Sequence, residues 1–168
     1  MIYADECGIQ KDLVRQYGRS KKGERVYGET TATRHSQTGI VSGYAKLPDK
    51  DSYLYIAPWV YNCNCNTIVF NTWIQKILIP ELKIMQKKYP KHTLDLILDN
   101  VRYHKSKETE EMLKKEGIKL KFQPPYSPDL NPIEPSWGTT KNEIRNQDEG
   151  TFLDKLCYSL RIRAWSCD

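Results

Sequence analysis

The stretch TLDLILDNVRYHKSKETEEMLKKEGIKLKFQ, from Thr93 to Gln123, places a polar segment between two short apolar ones. The first apolar segment, TLDLILDN, is rich in Leu and Ile and predicts a buried strand that ends in acid, and IKLKFQ predicts another strand. Between them, SKETEEMLKKEG indicates a helix with a polar face that closes at Gly117. Strand, helix and strand in this order predict a right-handed parallel crossover.

The chain before this stretch is typical of paired strands followed by a long helix. MIYADE, GERVYGETTATR, TGIVSGYAKL and SYLYIAPWV are rich in β-branched and aromatic residues and predict strands. From Thr67, apolar residues at helical spacing predict the longest helix, with Asn66 as its cap and a kink or break at Pro80. A final amphipathic segment, FLDKLCYSLRIRAW, completes the chain. We therefore expect an α/β fold, with antiparallel strands first and a parallel unit later.

Composition sets the outer limits on function. The chain has 168 residues, of which 39% are hydrophobic, without an internal repeat or a long linker, so we expect one domain spanning residues 1–168. It has neither an apolar run near twenty residues nor an N-terminal leader, which predicts a cytoplasmic protein without a membrane span. The odd count of five cysteines favours thiols over disulfides, and Cys63 and Cys65 lack a second pair at zinc spacing. A net charge of +5 permits a polyanionic partner without requiring one.

Three acidic residues stand at positions suited to a site. Asp5 and Asp99 are each expected at the carboxyl end of a strand, where functional groups of α/β sheets gather, although aspartate also ends strands because it favours turns. Glu134 has a competing structural interpretation. Asn131 followed three residues later by Glu134, with Pro132 between them, is a helix-capping pattern in which Glu134 would do no chemistry.

The spacing of these acids and the sequence motifs around them favour a catalytic role. Thirty-four residues separate Asp99 from Glu134. DECG, KKGERVYGE, LILDNVRYHKSK and PPYSPDLNPIE occur in this order from Met1 to Asn146, and together they resemble the catalytic core of transposases of the Tc/mariner superfamily and its bacterial insertion-sequence relatives. The resemblance implies a ribonuclease-H-like mixed sheet flanked by helices. It also implies that Asp5, Asp99 and Glu134 form the Asp-Asp-Glu catalytic triad.

A set of three carboxylates suits divalent metal ions. Two ions about 3.5–4 Å apart can activate the attacking oxygen and stabilise the leaving oxygen of a phosphodiester. Carboxylate oxygens are the ligands that Mg²⁺ prefers, and without a cation they would repel one another. The resemblance implies that Asp5, Asp99 and Glu134 hold two Mg²⁺ ions, with Mn²⁺ as a substitute, for cleavage at transposon ends and strand transfer into target DNA. Glu6 adjoins Asp5 in a strand and is expected on the opposite face, away from the metal ions.

Other residues are candidates for supporting roles. Asn100 and His104 match the family pattern as auxiliary residues, and His104 either contacts a phosphate, tunes the site, or only packs. Trp137 is expected to pack its helix on the sheet rather than to stack on a base. Basic residues are candidates for contact with the DNA backbone, against the alternative of a solvated loop. These are Arg19, Lys21, Lys22, Arg25, Arg102, Lys105 and Lys107.

The resemblance also sets expectations about partners. Full-length relatives carry an N-terminal helix-turn-helix module that recognises transposon ends, whereas this chain starts close to Asp5. An excised domain, a remnant, or a split gene with a separate N-terminal DNA-binding polypeptide would each explain this. We expect a homodimer acting on DNA, associated with the bacterial nucleoid. Two alternatives stay open: a catalytically silent DNA-binding or dimerising protein that regulates an intact transposase, and a ribonuclease-H-like nuclease that acts on RNA or hybrids.

Overall fold

The computed structural model describes residues 1–10, 13, 18–27, 37–125, 127–147 and 149–161. Its strands are β1 (Ile2–Gln10), β2 (Gln37–Lys46), β3 (Tyr53–Tyr61), β4 (Asp95–Leu98) and β5 (Lys119–Phe122). Its α-helices are α1 (Thr67–Trp73), α2 (Ile79–Lys88), α3 (Lys107–Lys115), α4 (Ile133–Asn146) and α5 (Phe152–Ser159). A π-helical segment, Ile74–Leu78, joins α1 to α2, and short 3₁₀ helices occupy Arg102–Lys105 and Pro128–Leu130.

The five strands form one mixed sheet in the order β3-β2-β1-β4-β5. The first three strands pair antiparallel, whereas β4 lies parallel to both β1 and β5. The sheet therefore confirms the predicted α/β class and the predicted order of antiparallel strands followed by a parallel crossover.

Both faces of the sheet are covered, because successive side chains of a strand point to opposite faces. From β1, Ile2 and Ala4 join a core with α1, α2 and α3, while Cys7 and Ile9 join a second core with α4 and α5. The central strand is thus packed on both sides, and polar residues within it lie between two apolar layers.

The long helical region begins as the sequence predicts. The Asn66 side chain accepts a hydrogen bond from the Val69 amide at 3.0 Å, which confirms its capping role. The expected irregularity before Pro80 is the π-helical segment rather than a break. Proline has no amide hydrogen to donate to the preceding turn, and the wider π turn accommodates the missing bond without interrupting the helix.

Three details differ from the sequence predictions. β1 continues to Gln10, so Asp5 lies within the strand and not at its end, because β2 pairs with β1 as far as Gln10. Of the predicted strand GERVYGETTATR, residues 23–27 form no strand and residues 28–34 lie outside the described residues. The C-terminal amphipathic segment forms α5, and its residues from 162 onward also lie outside the described part.

Two further findings concern membrane-spanning helices and the state of the cysteines. No helix among the described residues is long and apolar enough to cross a membrane. The cysteines at positions 7, 63, 65 and 157 are free thiols, as their odd count in the sequence predicts.

Candidate active site

The pairing register places two of the predicted acids side by side. Tyr3 of β1 pairs with Ile97 of β4, so two residues further along the parallel strands Asp5 is level with Asp99. β4 ends at Leu98, whereas β1 continues past it. Asp99 therefore lies at the end of β4 against the middle of β1, at the edge where parallel strands expose functional groups.

The carboxylate of Asp99 is held by one of its two oxygens. Oδ1 accepts hydrogen bonds from the Val101 amide at 3.1 Å and from His104 Nδ1 at 2.7 Å. Among the described residues, none donates to Oδ2, and the side chain is 35% exposed. Partial burial raises the pKa of Asp99, but the hydrogen bonds from His104 and Val101 outweigh it and the net pKa is lowered. Asp99 is therefore an ionised carboxylate with one oxygen that no described residue binds.

His104 is fully buried and lies between two carboxylates. Its Nδ1 faces Asp99, and its Nε2 lies 2.9 Å from Glu6 Oε1. When the ring is protonated, both of its nitrogens can donate, one to each carboxylate. Burial lowers the pKa of His104, yet the hydrogen bonds to Asp99 and Glu6 raise it to about 9 overall. With no exposed surface, His104 cannot contact a phosphate directly, so that interpretation is wrong.

Asp5 accepts a hydrogen bond from α4, which packs on the face of the sheet opposite to the one that Glu6 faces. Trp137 Nε1 donates to Asp5 Oδ2 at 3.1 Å, and the indole is 5% exposed and stacks on Tyr55 with ring centroids 5.1 Å apart. Trp137 thus packs its helix on the sheet, as predicted. Burial and the negative charge of Glu6 raise the pKa of Asp5 to about 7, and the charge of Asp99 adds to the effect.

Glu134 occupies the first turn of α4 and is exposed. Among the described residues its carboxylate has no hydrogen-bond or ion-pair partner. Together with Asp99, Asn100 and Gln123 it lines an open cleft of about 370 Å³. The site therefore presents one held carboxylate and one free carboxylate across the same cleft.

The capping interpretation of this region is wrong. α4 begins at Ile133 with Pro132 in the N-cap position, one residue later than an Asn131 cap requires, and no side chain of a described residue caps the helix. Asn131 is only 2% exposed, and its Oδ1 accepts no hydrogen bond from a described residue. The prediction that α4 tolerates Pro135 is confirmed, because first-turn amides have no partner within the helix.

The three predicted carboxylates do not form a closed metal site in this structure. Within the described ranges, no group of three Asp, Glu, His or Cys side chains is close enough to hold an ion. The donor set nevertheless fits a divalent cation. Asp99 and Glu134 have oxygens that no described residue binds, and burial and the negative charges of Glu6 and Asp99 raise the pKa of Asp5, an effect that a bound cation would offset.

The remaining candidates fall at the rim of the cleft or away from it. The Asn100 amide donates to the Gln123 carbonyl, which ties the end of β4 to the end of β5. Lys105 lies with its ammonium 5.4 Å from the centroid of the Phe122 ring, and its charge contributes to lowering the pKa of Asp99. The other predicted DNA-binding residues are exposed, namely Arg19, Lys21, Lys22, Arg25, Arg102 and Lys107.

Sequence reasoning misses two contacts of this site. Strand alternation predicts Glu6 away from the metal ions, and it does face the other core, but His104 connects it to Asp99. Trp137 is predicted only to pack, and it also donates to Asp5. The spacing of Glu134 and Trp137, three residues apart on one helix face, is the signal that could have suggested the second contact.

Comparison with known proteins finds a matching family model. A family model described as DDE superfamily endonuclease matches residues 1–157. No curated protein matches the sequence significantly.

Several solved structures share the fold. The Mos1 transposase paired-end complex with left transposon end has a TM-score of 0.67 and 15% identity, covering 91% of this chain and 44% of that one. The Mos1 mariner paired end complex with Mn has a TM-score of 0.67 and 13% identity, covering 95% of this chain and 51% of that one. The structure of the Mos1 transposase catalytic domain and Raltegravir with Mg has a TM-score of 0.56 and 16% identity, covering 91% of this chain and 65% of that one. This chain therefore spans less than two thirds of each of these proteins, and the likeness confirms the predicted ribonuclease-H-like fold.

Proposed function

This chain belongs to the DDE superfamily endonuclease family, and we propose that it is the catalytic domain of a DNA transposase that cleaves transposon ends and transfers the freed strand into target DNA. One observation carries the proposal. The register of β1 and β4 sets Asp5 level with Asp99, and Asp99 shares an open cleft with Glu134. Asp99 thus neighbours each of the other two acids, although among the described residues no three acidic side chains lie close enough together to hold an ion.

Asp5, Asp99 and Glu134 are the proposed ligands of two Mg²⁺ ions, for which Mn²⁺ can substitute. Bound there, the ions would activate the attacking oxygen and stabilise the leaving oxygen of the phosphodiester. Asp99 Oδ2 and the Glu134 carboxylate have no hydrogen-bond partner among the described residues, which supports this assignment, as do the Mn and Mg named for the Mos1 structures.

The chain's own residues have separate tasks in this proposal. Asn100 keeps the ends of β4 and β5 together and so maintains the wall of the cleft. The exposed cations Arg102, Lys105 and Lys107 neutralise backbone phosphates and orient the DNA over the carboxylates, and the cluster Arg19, Lys21, Lys22 and Arg25 extends the contact. The triad would serve both steps. In cleavage, water attacks a phosphodiester at the transposon end, which leaves a phosphate monoester and a free 3′-hydroxyl. In strand transfer, that hydroxyl attacks a phosphodiester of target DNA, so that one ester bond forms as another breaks.

Transposon-end and target DNA are the proposed partners. Pairing of two copies of this chain would bring two transposon ends together, and the paired-end complex of the Mos1 transposase supports this by analogy. Recognition of the end sequence would come from a separate N-terminal module or polypeptide, and the site of action would be the bacterial nucleoid.

Calorimetric titration of Mn²⁺ into the purified protein tests the proposal without needing the transposon's end sequence. We expect saturable binding that Asp99→Asn and Glu134→Gln each weaken by at least about tenfold, because each removes a charged oxygen ligand. Glu111→Gln is the matched control, since Glu111 is an exposed acid on α3, and it should bind as the parent does. Equal, weak binding by all four proteins, with and without duplex DNA, would contradict the proposal.

A second measurement separates the competing functions. The Mn²⁺-loaded protein should nick supercoiled plasmid DNA and leave an RNA–DNA hybrid intact. Cleavage of the hybrid alone would instead identify a ribonuclease-H-like nuclease. Binding of DNA without Mn²⁺ binding or cleavage would identify the silent regulator, which the open arrangement of the three acids also permits.

A further inference from the structure

A chain of buried hydrogen bonds runs through the sheet to Asp99 from the side away from the cleft. Glu6 Oε1 lies 2.9 Å from His104 Nε2, and His104 Nδ1 lies 2.7 Å from Asp99 Oδ1. The His104 side chain is 0% exposed, and that of Glu6 is 11% exposed. The second oxygen of Glu6 accepts a hydrogen bond from the Tyr103 hydroxyl at 3.3 Å. Glu6 and His104 are therefore each bonded at both of their side-chain polar atoms.

We propose that Glu6 and His104 are positioning residues, which hold the Asp99 carboxylate by Oδ1 so that Oδ2 stays directed to the cleft and available to a divalent cation. This inference rests on the proposed function only in naming the cation as the purpose of the alignment. The alignment itself is a property of the metal-free protein.

The strand geometry explains why two adjacent acids of β1 have different tasks. Side chains of neighbouring residues in a strand point to opposite faces, so Asp5 faces α4 while Glu6 faces the core that contains α1. Asp99 lies just beyond the last residue of β4, where its side chain can be reached from both faces. Glu6 therefore acts on Asp99 through the His104 imidazole, from the sheet face that packs against α1, without entering the cleft.

Hydrogen-bond partners of a ligating carboxylate fix its orientation, and their loss typically costs about 10–100-fold in metal affinity or activity. A free aspartate at this position would divide its time among rotamers, and binding an ion would then require ordering it. The Glu6–His104 pair, together with the backbone amide of Val101, performs that ordering in advance.

A purely structural role for His104 is the competing explanation, because its ring packs 4.2 Å from the Phe70 ring centroid and 4.6 Å from that of Tyr103. In that case, variants would lose stability, but the folded fraction would bind Mn²⁺ normally. Phe70→Leu is the matched control, since it disturbs the packing of His104 and leaves both hydrogen bonds in place.

Two substitutions of His104 separate its two bonds. In His104→Asn the amide nitrogen can replace Nδ1 and keep the bond to Asp99. In His104→Gln it can replace Nε2, so the bond to Glu6 is kept and the bond to Asp99 is lost. We expect His104→Gln to weaken Mn²⁺ binding by about 10–100-fold per folded molecule and His104→Asn to weaken it less. Glu6→Gln, which retains the geometry but loses the charge, should fall between His104→Asn and the parent.

A readout in the metal-free protein distinguishes failure of this inference from failure of the proposed function. Scalar couplings measured by NMR should show one χ1 rotamer for Asp99 in the parent, in His104→Asn and in Phe70→Leu, and averaging among rotamers in His104→Gln. A single rotamer in all four proteins would overturn the positioning role, whatever the metal data show. A parent protein that orders Asp99 but binds no Mn²⁺ would keep the alignment and remove its proposed purpose, which contradicts the proposed function.

Discussion

Replacing Asp5 with Asn should make the metal-free protein more stable at alkaline pH while it abolishes metal binding. Asn keeps an oxygen that can accept the Trp137 hydrogen bond, and it removes a charge that burial, Glu6 and Asp99 all disfavour. The substitution therefore isolates the electrostatic cost of keeping an acid at this position.

The size of the effect follows from the pKa of Asp5, which is about 7 against an ordinary value of 3.8. In the folded state Asp5 binds a proton below about pH 7, whereas in the unfolded chain it does so only below about pH 4. Stability that is present below about pH 4 is thus lost as the pH rises through about 7. Each pKa unit corresponds to about 1.4 kcal/mol, so the loss is at most about 4 kcal/mol, and we expect about 1–3 kcal/mol after relaxation of the partly exposed site.

Urea unfolding in EDTA at pH 5 and pH 8 measures this loss. The gain in unfolding free energy from Asp5→Asn should be about 1–3 kcal/mol larger at pH 8 than at pH 5. Asp51→Asn, a change at an exposed aspartate in the turn before β3, should show no such difference. Adding Mn²⁺ should stabilise the parent and leave Asp5→Asn unchanged, since only the parent binds the ion. An equal gain at both pH values would refute the view that the ionised Asp5 carboxylate destabilises the metal-free folded protein.

The remaining predictions concern glycine packing in the scaffold and the titration of Asp49. Gly39→Ala should lower the free energy of unfolding by about 1–3 kcal/mol, because a Cβ would overlap the Tyr61 ring directly opposite it. Gly138→Ala should raise it by about 0.5–1 kcal/mol, because beyond its chain neighbours and the backbone of its own helix no described atom lies within 4 Å of the new methyl group. Urea unfolding compares the two variants, and equal effects would contradict the packing account. Asp49 has a pKa lowered to about 2, first by the Tyr89 hydroxyl and then by Lys88, so its contribution to stability is present above its unfolded pKa and is lost as the pH falls through about 2. Tyr89→Phe should move the NMR titration midpoint of Asp49 towards 3.8, and an unchanged midpoint would assign the shift to Lys88 alone.

The sequence predicts the scaffold well where patterns are local. The apolar run before Asp99, the polar-faced helix closed by Gly117 and the strand IKLKFQ form β4, α3 and β5 because periodicity and turn chemistry decide such elements. The cap at Asn66 also forms, whereas the one at Asn131 does not. The Asn131 side chain is buried there, and its Oδ1 accepts no hydrogen bond from a described residue, which the pattern of residue types does not reveal.

The site divides in the same way. Family resemblance predicts Asp5, Asp99 and Glu134 as its acids, and the register of β1 and β4 places the first two level with each other. The links through His104 and Trp137 join residues separated by 98 and 132 positions, and only the packed fold brings those atoms together. Hydrogen bonds of that kind depend on which face of the sheet each side chain leaves, and composition and spacing do not specify them.

A crystal of the protein soaked in Mn²⁺, with anomalous diffraction recorded at the manganese edge, tests the central claim most directly. The account predicts manganese at the edge of the sheet, with oxygens of Asp5, Asp99 and Glu134 all within about 2.5 Å of a metal ion and Asp99 binding through Oδ2. Glu134 would have to move into the site, because the three carboxylates do not converge without metal. Manganese bound only at other carboxylates, or at Asp99 without Asp5 and Glu134, would contradict the assignment of these three residues as the catalytic metal ligands.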